Sequence, residues 1–382
     1  MRIVRTVVCL ALAIAAALTS LHAGFSTTPE EVAAPLHERL LEDWEAPRRL
    51  GASREAELHK TNPEWVLMSR MFTALAFAND AAKDPPARAR YVAAMDRIAR
   101  TTIAELDGGG MNHFLLPYAR RARFVDQRGR SLFVDGEIAL MLAALELVDA
   151  GPDREVVAEV WVRRAREQIE RGPALLGESY PDEAWMFCNA VALAAIRLHD
   201  VARGEPDAHA ELFTRWVEHA RAHLVDPGTG LLVSRLRYDG AAVEGPEGST
   251  IWLVADMLLL VDEDFAREQY ALARRALGRS LVGFAWSREW PASRPGSDDI
   301  DSGPTIPIVG ANAGASGLAI VGAKAFDDEE FLDGLLTSLE FAGFPVDGRS
   351  RYAAGNLTAD AVIAYGTRTG PLWALARARG GA

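Results

Sequence analysis

Apolar residues recur at helical spacing along this chain in two alternating kinds of segment. In the first kind one face is apolar and the other charged. Leu212, Phe213, Trp216, Val217, Ala220 and Leu224 share such a stripe, with Arg215, Glu218 and Arg221 between them. Segments 86–105, 153–170, 264–281 and 328–343 read the same way. Asp84 before Pro85 and Pro86 marks a helix start, because proline loses no hydrogen bond in a first turn. In the second kind, 64–82, 131–149, 184–202, 248–261, 311–325 and 357–378, apolar residues occupy more than one face. A helix apolar all round belongs in an interior. Inner and outer helices alternating about six times predict an all-α fold, an (α/α)6 toroid. A bundle or a solenoid fits the same periodicity, since a repeat does not by itself close a ring. Strand signals are few; Leu231–Tyr238 with Asp239-Gly240 predicts a hairpin arm.

The connections alternate too. Long loops fall near 106–130, 171–181, 225–247, 282–309 and 344–355, and short ones near 82–86, 149–152, 203–207, 262–264 and 326–328. If consecutive helices run antiparallel, every long loop lands at one end of the molecule. Long loops held on a compact scaffold usually carry function. These hold Asp135, Glu137, Tyr180, Asp182, Glu247, Asp299 and Asp301, so the chemistry is expected on one face.

Composition narrows the partners. The first residues are charged, then apolar from Val7 to Leu18, then small around Ala23, which reads as a secretory signal over residues 1–23. The runner-up is an uncleaved N-terminal anchor. Either way the expected location is secreted or periplasmic. Residues 30–382 read as a single domain, since no linker or low-complexity tract divides them. Removing Arg2 and Arg5 with the signal takes the net charge from −12 to −14. That acidity argues against nucleic acid or an anionic membrane surface as partner, and points to a small-molecule substrate. Only Cys188 survives processing, so no disulfide forms within one mature chain.

The segment Tyr180-Pro-Asp-Glu-Ala-Trp-Met-Phe-Cys-Asn189, then Val191–His199 and His223-Leu-Val-Asp-Pro-Gly-Thr-Gly230, resembles the linalool dehydratase/isomerase family. So do Ser249-Thr250 with Trp252, and Arg288-Glu289 followed by Asp298-Asp299-Ile-Asp301. The similarity covers roughly 60–345. It implies an α/α toroid and cofactor-free loss or addition of water at an allylic alcohol; a homo-oligomer would rest on the resemblance alone. It carries Phe133, Trp185 and Trp252 over as pocket-lining residues, and Asp182 and Cys188 as matches. The family's active-site histidine becomes Glu137, its first cysteine Ser179, and its tyrosines Gly248 and Ser69. Its upstream aspartate aligns with Glu42 or Asp43.

From these readings, Glu137 and Asp182 are expected to exchange protons with substrate, with Cys188 and Asp301 as further catalytic candidates. Phe133, Tyr180, Trp185, Glu247, Trp252, Arg288 and Asp299 are the expected substrate contacts. Each has a plainer role as well. Asp135 and Glu137 suit the first turns of a helix, Asp182 a helix start, and Asp299 and Asp301 a turn before Ser302-Gly303-Pro304. A lone cysteine is usually a small buried hydrophobe. His113 after three glycines reads as structural, and His219 with His223 as a solvated helix face, so neither metal nor cofactor is expected. The leading expectation is a lyase or isomerase working by acid/base chemistry on a small hydroxylated substrate. The alternatives are a carbohydrate-active hydrolase or lyase on the same toroid, and a non-catalytic small-molecule-binding protein.

Overall fold

The computed structural model describes residues 2–45, 51–296 and 302–381. Among them, six helices form an inner layer: α4 (Pro63–Lys83), α6 (Leu132–Val148), α8 (Met186–Ala202), α10 (Gly248–Leu258), α12 (Ala313–Ala325) and α14 (Leu357–Arg368). Each packs on the next, and α14 packs back on α4, which closes the ring. This closure is the step that periodicity alone left open. The fold is an (α/α)6 toroid.

The outer layer follows from the amphipathic stripes. Helix α5 (Arg88–Gly109) packs on α4 and α6, α7 (Pro152–Arg171) on α6 and α8, α11 (Glu263–Ala276) on α10, and α13 (Glu329–Ala342) on α12. Helix α9 (Ala210–His219) runs on through a wide π turn, Ala220–Leu224. It is fixed by Arg197 of α8 over Phe213 at 4.8 Å and by its own Arg221 over Phe265 of α11 at 4.4 Å. Helix α2 (Pro29–Glu45), preceded by α1 (Arg2–Ser20), covers the seam between α14 and α4. A short α3 (Gly51–Thr61) leads into α4. No described helix is long and apolar enough to cross a membrane.

The inner helices are buried on every side; in α6 all 17 residues are buried. Their starts are fixed locally. Asn62, Ser131, Asn312 and Asn356 cap α4, α6, α12 and α14 by accepting from backbone N–H groups at 3.0, 3.4, 2.8 and 3.0 Å. Between outer and inner helices run long connections, whose described parts are 110–131, 172–185, 225–247, 277–296 with 302–312, and 343–356. All therefore meet at the end of the ring where the inner helices begin. Small antiparallel pairings stiffen them: β1 (Ala184–Trp185) with β2 (Arg235–Leu236) and β3 (Ala242–Glu244), β4 (Gly278–Leu281) with β5 (Phe284–Ser287), β6 (Thr305–Ile306) with β7 (Ala311–Asn312), and β8 (Pro345–Val346) with β9 (Arg351–Tyr352).

Two expected helices are shorter than the pattern implied. The segment 264–281 gives way to β4 after Ala276, and 357–378 breaks at Thr369-Gly370, where Gly370 has φ +125°. That break lets α15 (Pro371–Gly380) fold across the short-turn end of the ring, against α4, α6 and α8. Trp373 of α15 donates Nε1–H to Asp256 at 2.9 Å, and Tyr365 donates its hydroxyl to the same carboxyl at 2.5 Å. Asn79 accepts from the backbone of Leu372 at 3.0 Å, and Arg379 donates to the Leu147 carbonyl at 2.8 Å.

Asp256 is fully buried, and burial pushes its carboxyl up to about 7 against the two donated hydrogen bonds. The native chain therefore keeps this proton at a pH where the unfolded chain has lost it, so stability falls as pH rises from about 4 to about 7. Urea unfolding across that range is expected to show this slope, and Asp256→Asn to flatten it and gain relative to wild type above pH 7. An unchanged slope in the variant would place the proton elsewhere.

Candidate active site

At the long-loop end, α4 and α6 bring two carboxyl groups together. Glu64 is the second residue of α4, after the Asn62-Pro63 start. Glu137 is the sixth residue of α6, with none of its surface exposed and both oxygens without a hydrogen-bond partner. Burial, and then the charge of Glu64, hold the Glu137 carboxyl well above the usual carboxylate range. Glu137 is thus an acid disposed to keep its proton, with Glu64 among the groups that disfavour its ionised form.

Tyr180 organises the pair. Its buried hydroxyl donates to Glu64 Oε1 and accepts from the Leu116 N–H at 2.8 Å. Burial and the Glu64 charge push that phenol far up, so it serves as a fixed donor. Cys188, less than a turn into α8, faces the same group. Burial raises its thiol, a hydrogen bond with Ser179 opposes this, and the nearby carboxyl groups of Glu137 and Glu64 add to the rise. Such a thiol is neutral and a poor nucleophile.

An aromatic and charged rim stands around these residues. Tyr118 stacks on Tyr180, with ring centroids 4.5 Å apart and planes at 17°. Tyr118 and the Trp185 indole both donate to Glu183 Oε2, at 3.3 and 3.2 Å. Arg235 lies over Trp185 at 5.6 Å, 3.0 Å from Glu244 and 3.9 Å from Glu183. Further around, Glu247 immediately precedes α10 and is buried; burial and then the charges of Glu289 and Glu244 raise its carboxyl well above the usual range. Glu289 is pushed up to about 7 by burial, with Ser249 donating to it through its hydroxyl.

The residues expected from the sequence are distributed unevenly over this site. Glu137, Tyr180 and Cys188 meet around Glu64, while Trp185 and Glu247 stand on the surrounding wall. Asp182 does not join Glu137. It has φ +58° in the tight turn between Tyr180 and Glu183, its side chain is 48% exposed, and it faces Arg237 at 3.8 Å and the Tyr238 N–H at 3.4 Å. Its neighbour Glu183 takes the rim contacts instead. Trp252 is not a wall residue either. It is fully buried between the helical layers, packed on Tyr270 and Phe331, with Nε1–H donated to Ser287 at 2.8 Å. Asp135 turns outward to Arg130 and to Gln168, which donates at 2.8 Å. Phe133 is buried in the first turn of α6, and Arg288 is half-buried with Nε unpartnered. Asp299 and Asp301 lie outside the described residues.

Glu64 and Glu183 escaped the sequence reading because each has a sufficient local explanation, as helix-start and turn residues. The usable signal was position: both fall where a long loop meets an inner helix.

No family model matches the chain, and no curated protein matches it. Among solved structures it is similar to a GH76 α-mannanase of Bacteroides thetaiotaomicron, at 13% identity over 81% of this chain and 86% of that one, with a TM-score of 0.46. It is also similar to a GH76 α-1,6-mannanase from a Salegentibacter species, at 13% identity over 91% and 99% of the two chains and a TM-score of 0.47. An inactive variant of the latter, in complex with α-1,6-mannotriose, aligns at 13% identity over 82% and 90%, with a TM-score of 0.45. The family resemblance drawn from Tyr180–Asn189 is corrected by these findings, and the dehydratase and isomerase chemistry goes with it. The local structure agrees: a Cβ at Gly248 would lie 2.3 Å from the Arg288 carbonyl oxygen, so that family's tyrosine has no room there. Ser69, the other tyrosine position, is buried and donates to the Val66 carbonyl of its own helix at 2.8 Å.

An infrared difference spectrum at neutral pH is expected to contain a protonated-carboxyl band that Glu137→Gln removes. Glu64→Gln takes away the neighbouring charge, so that band is expected to titrate at lower pH in the Glu64 variant. A spectrum unaltered by Glu137→Gln would mean that the group is ionised and the acid assignment wrong.

Proposed function

We propose that this chain is a carbohydrate-active hydrolase that cleaves glycosidic bonds by acid catalysis at the long-loop end of the toroid. One observation carries the reading: a buried, unpartnered Glu137 whose carboxyl is held well above the usual range by burial and by a Glu64 that Tyr180 holds in place. Glycosidases divide their work between two such carboxyl groups, one protonating the leaving oxygen and the other acting as base or nucleophile. Glu137 takes the acid role, because desolvation keeps its proton at neutral pH. Glu64 takes the second role, oriented by the Tyr180 hydroxyl. The rim supports the same substrate class. Aromatic faces at Tyr118 and Trp185 suit the C–H faces of a sugar ring, while Glu183, Arg235 and Glu244 suit its hydroxyl groups. Export, as read from residues 1–23, fits an extracellular glycan as substrate.

A second reading is favoured by one feature. Glu137 has no exposed surface, so a chain that binds saccharide at the rim without cleaving it would keep the same wall.

Release of reducing ends from a panel of oligosaccharides, α-1,6-linked mannose oligomers among them, separates the two. Hydrolysis of at least one member is expected. Glu137→Gln and Glu64→Gln should each lower kcat by about 10²-fold or more. Asp182→Asn, which alters only the outward-facing turn, should keep most of the activity. The rate should decline as pH rises through the raised Glu137 value, because the acid form is then lost. Saturable binding with no cleavage of any member would support the non-catalytic reading, and full activity in Glu137→Gln would remove the acid.

A further inference from the structure

The turn from α9 into the loop before β2 leaves two imidazoles side by side at a cavity. His219 ends α9 and His223 lies in the π turn that follows, four residues on, with ring centroids 4.8 Å apart and planes at 48°. Both line a cavity of about 460 Å³, together with Pro173, Ala174, Leu224 and the Asp239–Ala241 turn between β2 and β3. The Nε2 atom of His219 is shielded from solvent and has no hydrogen-bond partner. A buried polar nitrogen in that state calls for a partner.

We propose that His219 and His223 bind a divalent transition-metal ion at the floor of this cavity. Two histidines four residues apart on one helical face are a recurrent chelating pair, with each nitrogen about 2.1 Å from the ion. The two rings stand 4.8 Å apart, centroid to centroid, and one of them has an idle nitrogen, which brings both side chains within reach of one ion. Imidazole donors select zinc, nickel or copper over magnesium or calcium. Among the described residues no third histidine, cysteine or carboxylate completes the set, so the remaining positions are open to water within the cavity. Asp239 lines the same cavity and is available to those waters. The site is separate from the Glu64 and Glu137 pair and stands or falls independently of the proposed hydrolysis.

Titration of the full chain with Zn²⁺ and with Ni²⁺, followed by calorimetry near pH 7.5, is expected to show one ion bound per chain. Cu²⁺ should give a visible absorption band typical of nitrogen ligation. His219→Ala and His223→Ala should each weaken binding by about tenfold or more, and lowering the pH below the imidazole range should abolish it. His223 is exposed, so its substitution leaves the packing untouched and decides the matter even if the His219 variant folds poorly. No saturable binding, or undiminished binding in His223→Ala, would overturn the proposal.

Discussion

Desolvation of carboxyl groups inside a ring of apolar helices sets the chemistry of this molecule. An isolated buried carboxylate is so costly that the group keeps its proton instead. Glu137 sits in α6, where every residue is buried, and nothing donates to either of its oxygens. The same effect raises Glu247, Glu289 and Asp256. Glu64 is only half-buried. It lies in the first turn of α4, where the helix dipole favours negative charge, and it receives the Tyr180 hydroxyl. One scaffold thereby couples a deeply buried acid to a carboxyl group in a more polar setting.

The two ends of the ring solve opposite problems. At the short-turn end, α15 crosses the opening and seals it through Asp256, Trp373 and Tyr365. The Glu64 and Glu137 carboxyl groups lie toward the other end, where the long loops meet the inner helices. There the loops are tied down by short strand pairings, and the β1–β2 pairing places Trp185 directly opposite Arg235. The rim is therefore built from backbone pairing first and side-chain chemistry second. That order explains why a tight turn around Asp182, with its left-handed backbone, decides which of two adjacent acids faces the site.

Much of the architecture was legible in the sequence, because burial on all sides leaves an unmistakable mark in segments such as 131–149. Ring closure was not, since the contact of α14 with α4 joins residues about three hundred positions apart and no local pattern encodes it. The site was legible in part. In the sequence Glu137 is an acid/base candidate with Asp135 at the start of an inner helix, at the position aligned with a histidine of the resembled family, whereas Glu64 looks like ordinary helix-start chemistry after Asn62-Pro63. Trp252 misled for the converse reason. A large aromatic near the start of an inner helix can point to the centre or to the outer layer, and only the packing of Tyr270 and Phe331 shows which.

The thiol at Cys188 shows how the same environment limits the chemistry available. A cysteine nucleophile needs a positive neighbour to stabilise its thiolate. Cys188 instead has the carboxyl groups of Glu137 and Glu64 as neighbours and is buried, so its proton stays on. Ser179 is the hydrogen-bond partner beside the thiol, and the only other cysteine, Cys9, lies in α1. Thiol chemistry is thus disfavoured by the features that favour carboxyl chemistry. An environment that strips solvent from acids and sets carboxyl groups rather than a cation beside the thiol can hold protons in place but does not activate a thiol.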